Sequence, residues 1–219
     1  MSAAPALHEP APAAVADAAS FAARMGATQA EVVDLERLEA LLADWNARMN
    51  LVGAATLAEF WPRHAFDSAQ LLRIEPSARV WVDIGAGAGF PGLVLAILLK
   101  GRPAARVHLV ESRAKRCAFL AAAVDALGLP AEVHHARAED LAIEADVAAA
   151  RAVAPLARLL GFAAPYLRRG ATGLFMKGRG AEAEIAEAKR LWRFHVERIV
   201  SLSDPEGRIL KVGGLSHVR

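Results

Sequence analysis

Ten residues, Asp83-Ile84-Gly85-Ala86-Gly87-Ala88-Gly89-Phe90-Pro91-Gly92, carry the strongest chemical signal in this sequence. They follow the apolar run Val80-Trp81-Val82, so a strand ends in a carboxylate, turns through glycines and restarts at a proline. Glycine supplies positive φ and lacks the Cβ that would hold a ligand away from the backbone. Pro91 suits the first turn of the next helix, where its missing N–H is not needed. The segment predicts a nucleotide-like cofactor, with Asp83, Gly85, Gly87, Gly89 and Phe90 around it. Nineteen residues beyond Gly92, Glu111 closes a second apolar run, Val107-His108-Leu109-Val110. A carboxylate there can accept both hydroxyls of a ribose.

Two cofactor classes use this geometry. Gly87, Gly89 and Gly92 spell G-x-G-x-x-G, which alone suggests NAD. Against that, Asp83 precedes the first glycine, the loop reads G-x-G-x-G from Gly85, and a long segment comes before it. A dinucleotide also needs helix N–H groups for its pyrophosphate, and Pro91 removes one. S-adenosylmethionine (SAM) has no phosphate, and the local features favour it.

The elements that must position this loop can be read from pattern. Thr28-x-x-Glu31 is a capping box opening a helix whose apolar stripe runs Val32, Leu35, Leu38, Leu42, Trp45 and Met49. Thr56-x-x-Glu59 reads as a second one. Pro62 would interrupt that helix, which predicts a short turn to Phe60 and a helix restarted from Pro62 to Leu72. Strands are expected at 79–84, 106–111, 131–135, 146–150 and 171–176, with helices near 91–100, 113–127, 155–168 and 181–191. This alternation implies a parallel sheet with helices on both faces. The runs 194–202 and 208–212 flank Asp204-Pro205-Glu206-Gly207 and should form an antiparallel hairpin at the sheet edge. The expected fold is therefore α/β, a Rossmann-like class I SAM-dependent methyltransferase sheet closed by a terminal hairpin. Residues 1–20 are expected to be a frayed tail, 21–75 a helical extension and 76–219 the methyltransferase domain.

Length and composition set limits. At 219 residues the chain fits one domain with an extension. It is 55% hydrophobic and 23% charged, far from the disordered class. A net charge of +2 neither requires nor excludes a nucleic-acid partner. Cys117, the single cysteine, excludes an internal disulfide and a cysteine zinc site. The longest apolar run, Leu93 to Leu99, is too short to span a bilayer. The first twenty residues lack the basic start of a signal peptide, so a cytoplasmic location is expected.

Ligands of open α/β sheets sit beyond the carboxyl ends of the strands. At the fourth strand that end reads Ala150-Arg151-Ala152-Val153-Ala154-Pro155, with no side chain to hold an exocyclic amine and no cysteine for a covalent pyrimidine adduct. What remains is an acceptor needing little acid or base help. Guanine N7 qualifies, because it has an in-plane lone pair and no proton, and many small molecules qualify equally. A small-molecule methyltransferase and a non-catalytic nucleotide-binding regulatory module stay open on residue chemistry alone.

The chain resembles the bacterial 16S ribosomal RNA guanine-N7 methyltransferases, also called the glucose-inhibited division protein B family. The matching segments are Trp45-Asn46 with Asn50-Leu51-Val52, Arg63-His64-x-x-Asp67-Ser68, and the loop from Asp83 to Gly92. Then come Glu111-Ser112-x-x-Lys115-Arg116-x-x-Phe119-Leu120, Arg137-Ala138-Glu139, Arg151-Ala152, Lys177-Gly178 and Arg208. The resemblance implies SAM contacts at Gly85, Phe90, Ala138, Glu139 and Arg151, with Glu111 on the ribose. It implies methyl transfer to N7 of a guanine in a hairpin loop of 16S rRNA near the decoding region. Ala88 stands where the family often has Pro and Phe90 where Leu is common; Gly213-Gly214 replaces more aliphatic strand.

Arg63, His64, Arg151, Lys177 and Arg208 are the substrate-positioning candidates, and no general base is expected. Arg63, Lys177 and Arg208 are expected on RNA phosphate around the cofactor mouth, and Arg151 on the SAM carboxylate or a phosphate. An arginine hold on guanine O6 and N7 would occupy the attacking lone pair. Blander readings exist. Arg63 and Asp67, at i and i+4, also fit a helix ion pair, His64 a buried structural histidine and Gly92 mere packing. Gly85 and Gly87 have no ready explanation without a ligand. His134 and His135 project to opposite faces of a strand, so no metal site is expected there. The expected partner is 16S rRNA or the small ribosomal subunit, with a monomeric enzyme, no membrane and no obligate protein partner.

Overall fold

The computed structural model describes residues 14–218. Its sheet contains β1 (Val80–Ile84), β2 (Arg106–Glu111), β3 (Ala131–His135), β4 (Val147–Arg151), β5 (Thr172–Lys177), β6 (Trp192–Val200) and β7 (Arg208–His217). The order is β3-β2-β1-β4-β5-β7-β6. The first five strands are parallel, and β7 runs antiparallel to both β5 and β6. The chain moves outward from β1 to β3 on one side, then returns to β4 on the other. The strand order reverses between β1 and β4, and that is where a ligand crevice opens.

Alternate strand residues bury opposite faces, as the period of two requires. Trp81, Leu109, Ala149 and Leu174 enter one core with α6 (Gly92–Leu98) and α7 (Ala114–Leu127). Val82, Val110, Ala150 and Phe175 enter the other with α8 (Leu156–Leu167) and α9 (Ala181–Ala188).

The N-terminal helices share the first of these cores. α1 (Ala18–Met25) contributes Phe21, and α2 (Gln29–Met49) contributes Leu35, Leu38 and Leu42, all fully buried. The capping box at Thr28 forms: Thr28 N donates to Glu31 Oε2 at 2.7 Å and Glu31 N to Thr28 Oγ1 at 3.3 Å. Asp34 on the same helix accepts Lys100 Nζ at 2.8 Å, and that ammonium also donates to the Leu127 carbonyl at 2.6 Å. A buried carboxylate on α2 thereby grips the ends of α6 and α7.

Three expectations need correction. Residues 1–13 lie outside the described residues, but the tail expected over 1–20 ends before residue 20. Val15 is buried, and Asp17 caps α1 through Ser20 N at 2.8 Å. Thr56 caps nothing, because α3 (Ala54–Leu57) starts before it and its hydroxyl donates back to the Gly53 carbonyl at 2.8 Å. Pro62 interrupts nothing either. A π-helical segment, Phe60–Phe66, begins two residues before it, so Pro62 occupies a first turn whose N–H groups have no helical acceptor. Short helices α4 (Asp67–Ala69) and α5 (Leu71–Ile74) complete the approach to β1. Wide π turns recur at functional sites, and this one carries Arg63 and His64.

Candidate active site at the sheet switch point

The loop after β1 is locked from below. Asp83 is completely buried and its Oδ2 accepts Gly92 N at 2.8 Å, joining the strand end to α6. Oδ1 is buried without a partner. Burial is the main cause that pushes this carboxyl up to about 7, against opposing pulls from the Gly92 bond and Arg151. Asp83 thus shapes the loop from beneath. At Gly92 a Cβ would stand 2.2 Å from the Leu109 side chain, which explains this glycine by packing. Gly85 has φ +69° and a Cβ there would meet Val153 at 2.9 Å. The fold alone therefore demands Gly85, contrary to the expectation that only a ligand would explain it. Gly87, with φ +56°, keeps space above it, Arg116 Nη1 and the Gly85 carbonyl both standing 3.6 Å from an added Cβ.

Glu111 reaches the loop from β2. Its Oε2 accepts Gly87 N at 3.0 Å and its Oε1 accepts Arg113 N at 2.8 Å. Each oxygen keeps a second lone pair, so the carboxylate is oriented by backbone and still able to accept two hydroxyls. A pocket of about 90 Å³ lies beside it, lined by Gly85, Ser112, Ala138, Glu139, Val153 and Phe162 among others. Ala138 is buried, and its carbonyl accepts the Tyr166 hydroxyl at 2.7 Å; Glu139 is exposed at the rim.

A larger cavity of about 660 Å³ opens at the ends of β4 and β5, and Val153 lines both spaces. Arg63, His64, Asp67, Arg151, Lys177 and Arg208 all border it. The switch point therefore brings together all five substrate-positioning candidates.

Arg151 organises this wall. Its Nη1 donates to the Arg63 carbonyl at 2.5 Å and to Asp67 Oδ2 at 3.2 Å, and its Nη2 donates to His64 Nδ1 at 2.9 Å. The guanidinium also lies over the Phe90 ring, 5.1 Å from its centroid. His64 stacks on Phe90 at 4.4 Å with 9° between the planes. Burial, then the neighbouring Arg151 and Arg63 charges, push His64 down to about 4. The ring is neutral, and because Nδ1 accepts, its proton sits on Nε2, a buried atom without a partner among the described residues.

Asp67 continues the network. Its Oδ1 accepts Ser203 Oγ at 2.5 Å and Gln70 Nε2 at 3.0 Å. Gln70 Nε2 also donates to Ser201 Oγ at 3.1 Å, and its Oε1 accepts Leu202 N at 2.9 Å. The β6–β7 loop is thereby fastened to the segment before β1. Asp67 was weighed as a partner for Arg63, but Arg63 turns outward into an exposed ion pair with Glu59, Nε to Oε2 at 3.6 Å. Lys177 differs from expectation: only 8% of its side chain is exposed, and Nζ is held by Glu184 at 2.7 Å and the Ala154 carbonyl at 2.6 Å. It props the Ala154 loop rather than offering a free charge. Arg208 donates to the carbonyls of Pro205 and Gly207 at 2.8 and 2.7 Å, shaping its own turn.

Sequence reasoning missed Gln70, Ser201, Ser203 and Glu184. Ser201-x-Ser203 before Asp204-Pro205 marked only a turn, and nothing along the chain pointed from it to residue 70.

Residues 31–209 match the family model described as rRNA small subunit methyltransferase G. The chain belongs to that family. A relative so named from Caulobacter vibrioides is 57% identical over 209 residues, covering 95% of this chain and 97% of its own. One from Parvibaculum lavamentivorans is 47% identical, covering 92% and 91%. Among solved structures, a SAM-dependent methyltransferase from Aquifex aeolicus matches with TM-score 0.52 at 15% identity, covering 68% of this chain and 90% of its own. The 16S rRNA methyltransferase RmtF matches with TM-score 0.50 at 20% identity, covering 83% and 76%. These structures confirm the class I methyltransferase fold that the family carries.

Two outcomes follow from the loop. Glu111→Gln presents an amide N–H to a backbone donor and removes the charge, so SAM affinity measured by calorimetry should fall about tenfold to hundredfold. For Asp83, an acid whose pKa is raised on folding costs nothing where both states are protonated, below about pH 4. The cost grows as pH rises and is complete above the folded value of about 7. Asp83→Asn should therefore gain stability on the wild type between about pH 4 and 8, by up to about 4 kcal/mol in urea titrations. A difference that stays constant with pH would contradict a buried, perturbed carboxyl.

Proposed function

We propose that the protein transfers a methyl group from SAM to N7 of one guanine in a loop of 16S rRNA. Membership of the rRNA small subunit methyltransferase G family supports the substrate class. SAM would lie along Gly85–Gly89 with its ribose on Glu111 and its adenine toward Ala138 and Glu139. The sulfonium methyl would face the larger cavity.

The observation that carries the choice of N7 is the state of the acidic and basic groups in that cavity. Asp67 is held by Arg151, Ser203 and Gln70. Glu184 accepts Lys177 Nζ and Leu156 N, each at 2.7 Å, and Asp204 accepts Glu206 N at 2.9 Å. His64 has its only lone-pair nitrogen occupied by Arg151. Asp67, Glu184 and His64 are committed to shaping the wall, and Asp204 is an exposed turn carboxylate at its edge, which suits an acceptor that loses no proton. Catalysis is then alignment of a lone pair behind the sulfonium methyl. The SAM supplies the methyl cation equivalent, and this chain's residues fix the approach and exclude water.

A loop guanine can be splayed from its stack to enter such a cavity. Arg63, at the rim and outward, is suited to phosphate. We infer a cytoplasmic enzyme acting as a monomer, since ribosomal RNA would be its substrate and all five positioning candidates border one cavity of a single chain. Among the described residues, no helix is long and apolar enough to cross a membrane.

Replacing the target guanine by 7-deazaguanine in a rRNA fragment removes the attacking atom and leaves the Watson–Crick edge unchanged. Binding should survive and methyl transfer from labelled SAM should stop. Continued methylation at another atom would refute N7, and equal methylation of unrelated RNAs would refute the single-site reading.

A further inference from the structure

The sheet face away from Glu111 carries a second group of chemically capable residues. His108 lies on β2, and Glu132 and His134 lie on the edge strand β3. The parallel register pairs His108 with Glu132 and Val110 with His134, so all three side chains leave the same face. Along one strand His134 and His135 diverge, which is why the sequence pattern suggested no metal there. The missing neighbour comes from the adjacent strand.

We propose that His108, Glu132 and His134 form a binding site for a divalent late first-row transition ion, zinc above all. His108 Nδ1 and His134 Nε2 are 2.9 Å apart. Glu132 Oε2 is 3.9 Å from the first and Oε1 is 3.8 Å from the second. The ligand atoms of a tetrahedral zinc ion, with bonds of about 2.0–2.1 Å, stand about 3.3–3.4 Å apart. Moving the rings apart by about 0.4 Å and turning the Glu132 carboxylate inward, so that one of its oxygens meets both rings at that distance, creates the spacing. Two imidazoles and one carboxylate are a donor set such ions favour. The fourth position faces solvent and would take water.

The protonation balance is simple. In the ion-free site one ring donates its N–H to the other. With the ion bound, His108 carries its proton on Nε2 and His134 on Nδ1, so a tautomer shift suffices and no proton need leave. Arg106 Nη1, 3.6 Å from Glu132, competes for the carboxylate and must release it. His108 is buried and His134 half-buried, so their rings are already ordered, and only Glu132 must be fixed. The ion would clip the edge strand β3 to β2.

The test uses tag-free protein titrated with Zn2+ by calorimetry, and with Co2+ followed by visible absorption. One ion per chain should bind, the thermal midpoint should rise, and the Co2+ complex should show the intense bands of tetrahedral coordination. His134→Ala and Glu132→Gln should each weaken binding, the histidine change by about a hundredfold or more, while His195→Ala on β6 leaves it unchanged. Wild-type binding in His134→Ala would overturn the site. So would the weak spectrum of water-rich octahedral Co2+ in the wild type, a result that needs no variant to fold.

Discussion

The half-buried guanidinium of Arg151, 19% of its side chain exposed to the cavity, is the constraint on which the rest of the site depends. A charge out of water is tolerated only when it is paired and fully hydrogen-bonded. Here Asp67 supplies the opposite charge, the Arg63 carbonyl and His64 Nδ1 supply acceptors, and Phe90 supplies a ring face. Those groups come from the continuous segment Phe60–Ala69 and from the β1 loop, so satisfying one side chain at the end of β4 draws two other stretches of backbone to it. Through Asp67 the same network reaches Ser203 and Gln70 and holds the β6–β7 loop. Losing one partner of such a pair strands the other in the half-buried wall. The cavity wall therefore stands or falls as a unit.

This arrangement also bears on chemistry. The same bonds that hold the wall commit its carboxylates and its imidazole. A wall built this way positions substrate, and a proton-neutral transfer to guanine N7 asks no base of it. The cofactor side follows a different logic, in which Asp83 and Glu111 use backbone N–H groups to set the glycine loop before any ligand arrives.

Much of the fold was legible because its signals are local. The period of two in β1 to β5, the glycine turn and the Asp204-Pro205 corner placed the first six strands within about two residues of where they form, whereas β7, expected to end at 212, runs through Gly213-Gly214 to His217. Glu111 was legible too, because its distance from the loop reflects one strand-helix-strand unit. What could not be read were choices between partners that lie far apart in the chain. Asp67 prefers Arg151, eighty-four residues away, to Arg63 four residues away. Lys177 is spent on Glu184 rather than on phosphate, and His134 finds His108 rather than anything beside it on β3. Gly85 was misread for the same reason, since Val153 fills its space only in the folded chain. Pro62 was misread for a local reason, its helix starting later than the Thr56 pattern implied.

The central claim is that one half-buried charge couples the segment before β1 to the β6–β7 loop. Amide hydrogen exchange on Arg151→Met, compared with the wild type, tests it directly. The account predicts that amides of residues 60–70 and 201–207 lose protection together, while those of β1, β2 and β3 keep theirs. Loss confined to residues near 151, or unchanged protection in the 201–207 loop, would contradict it.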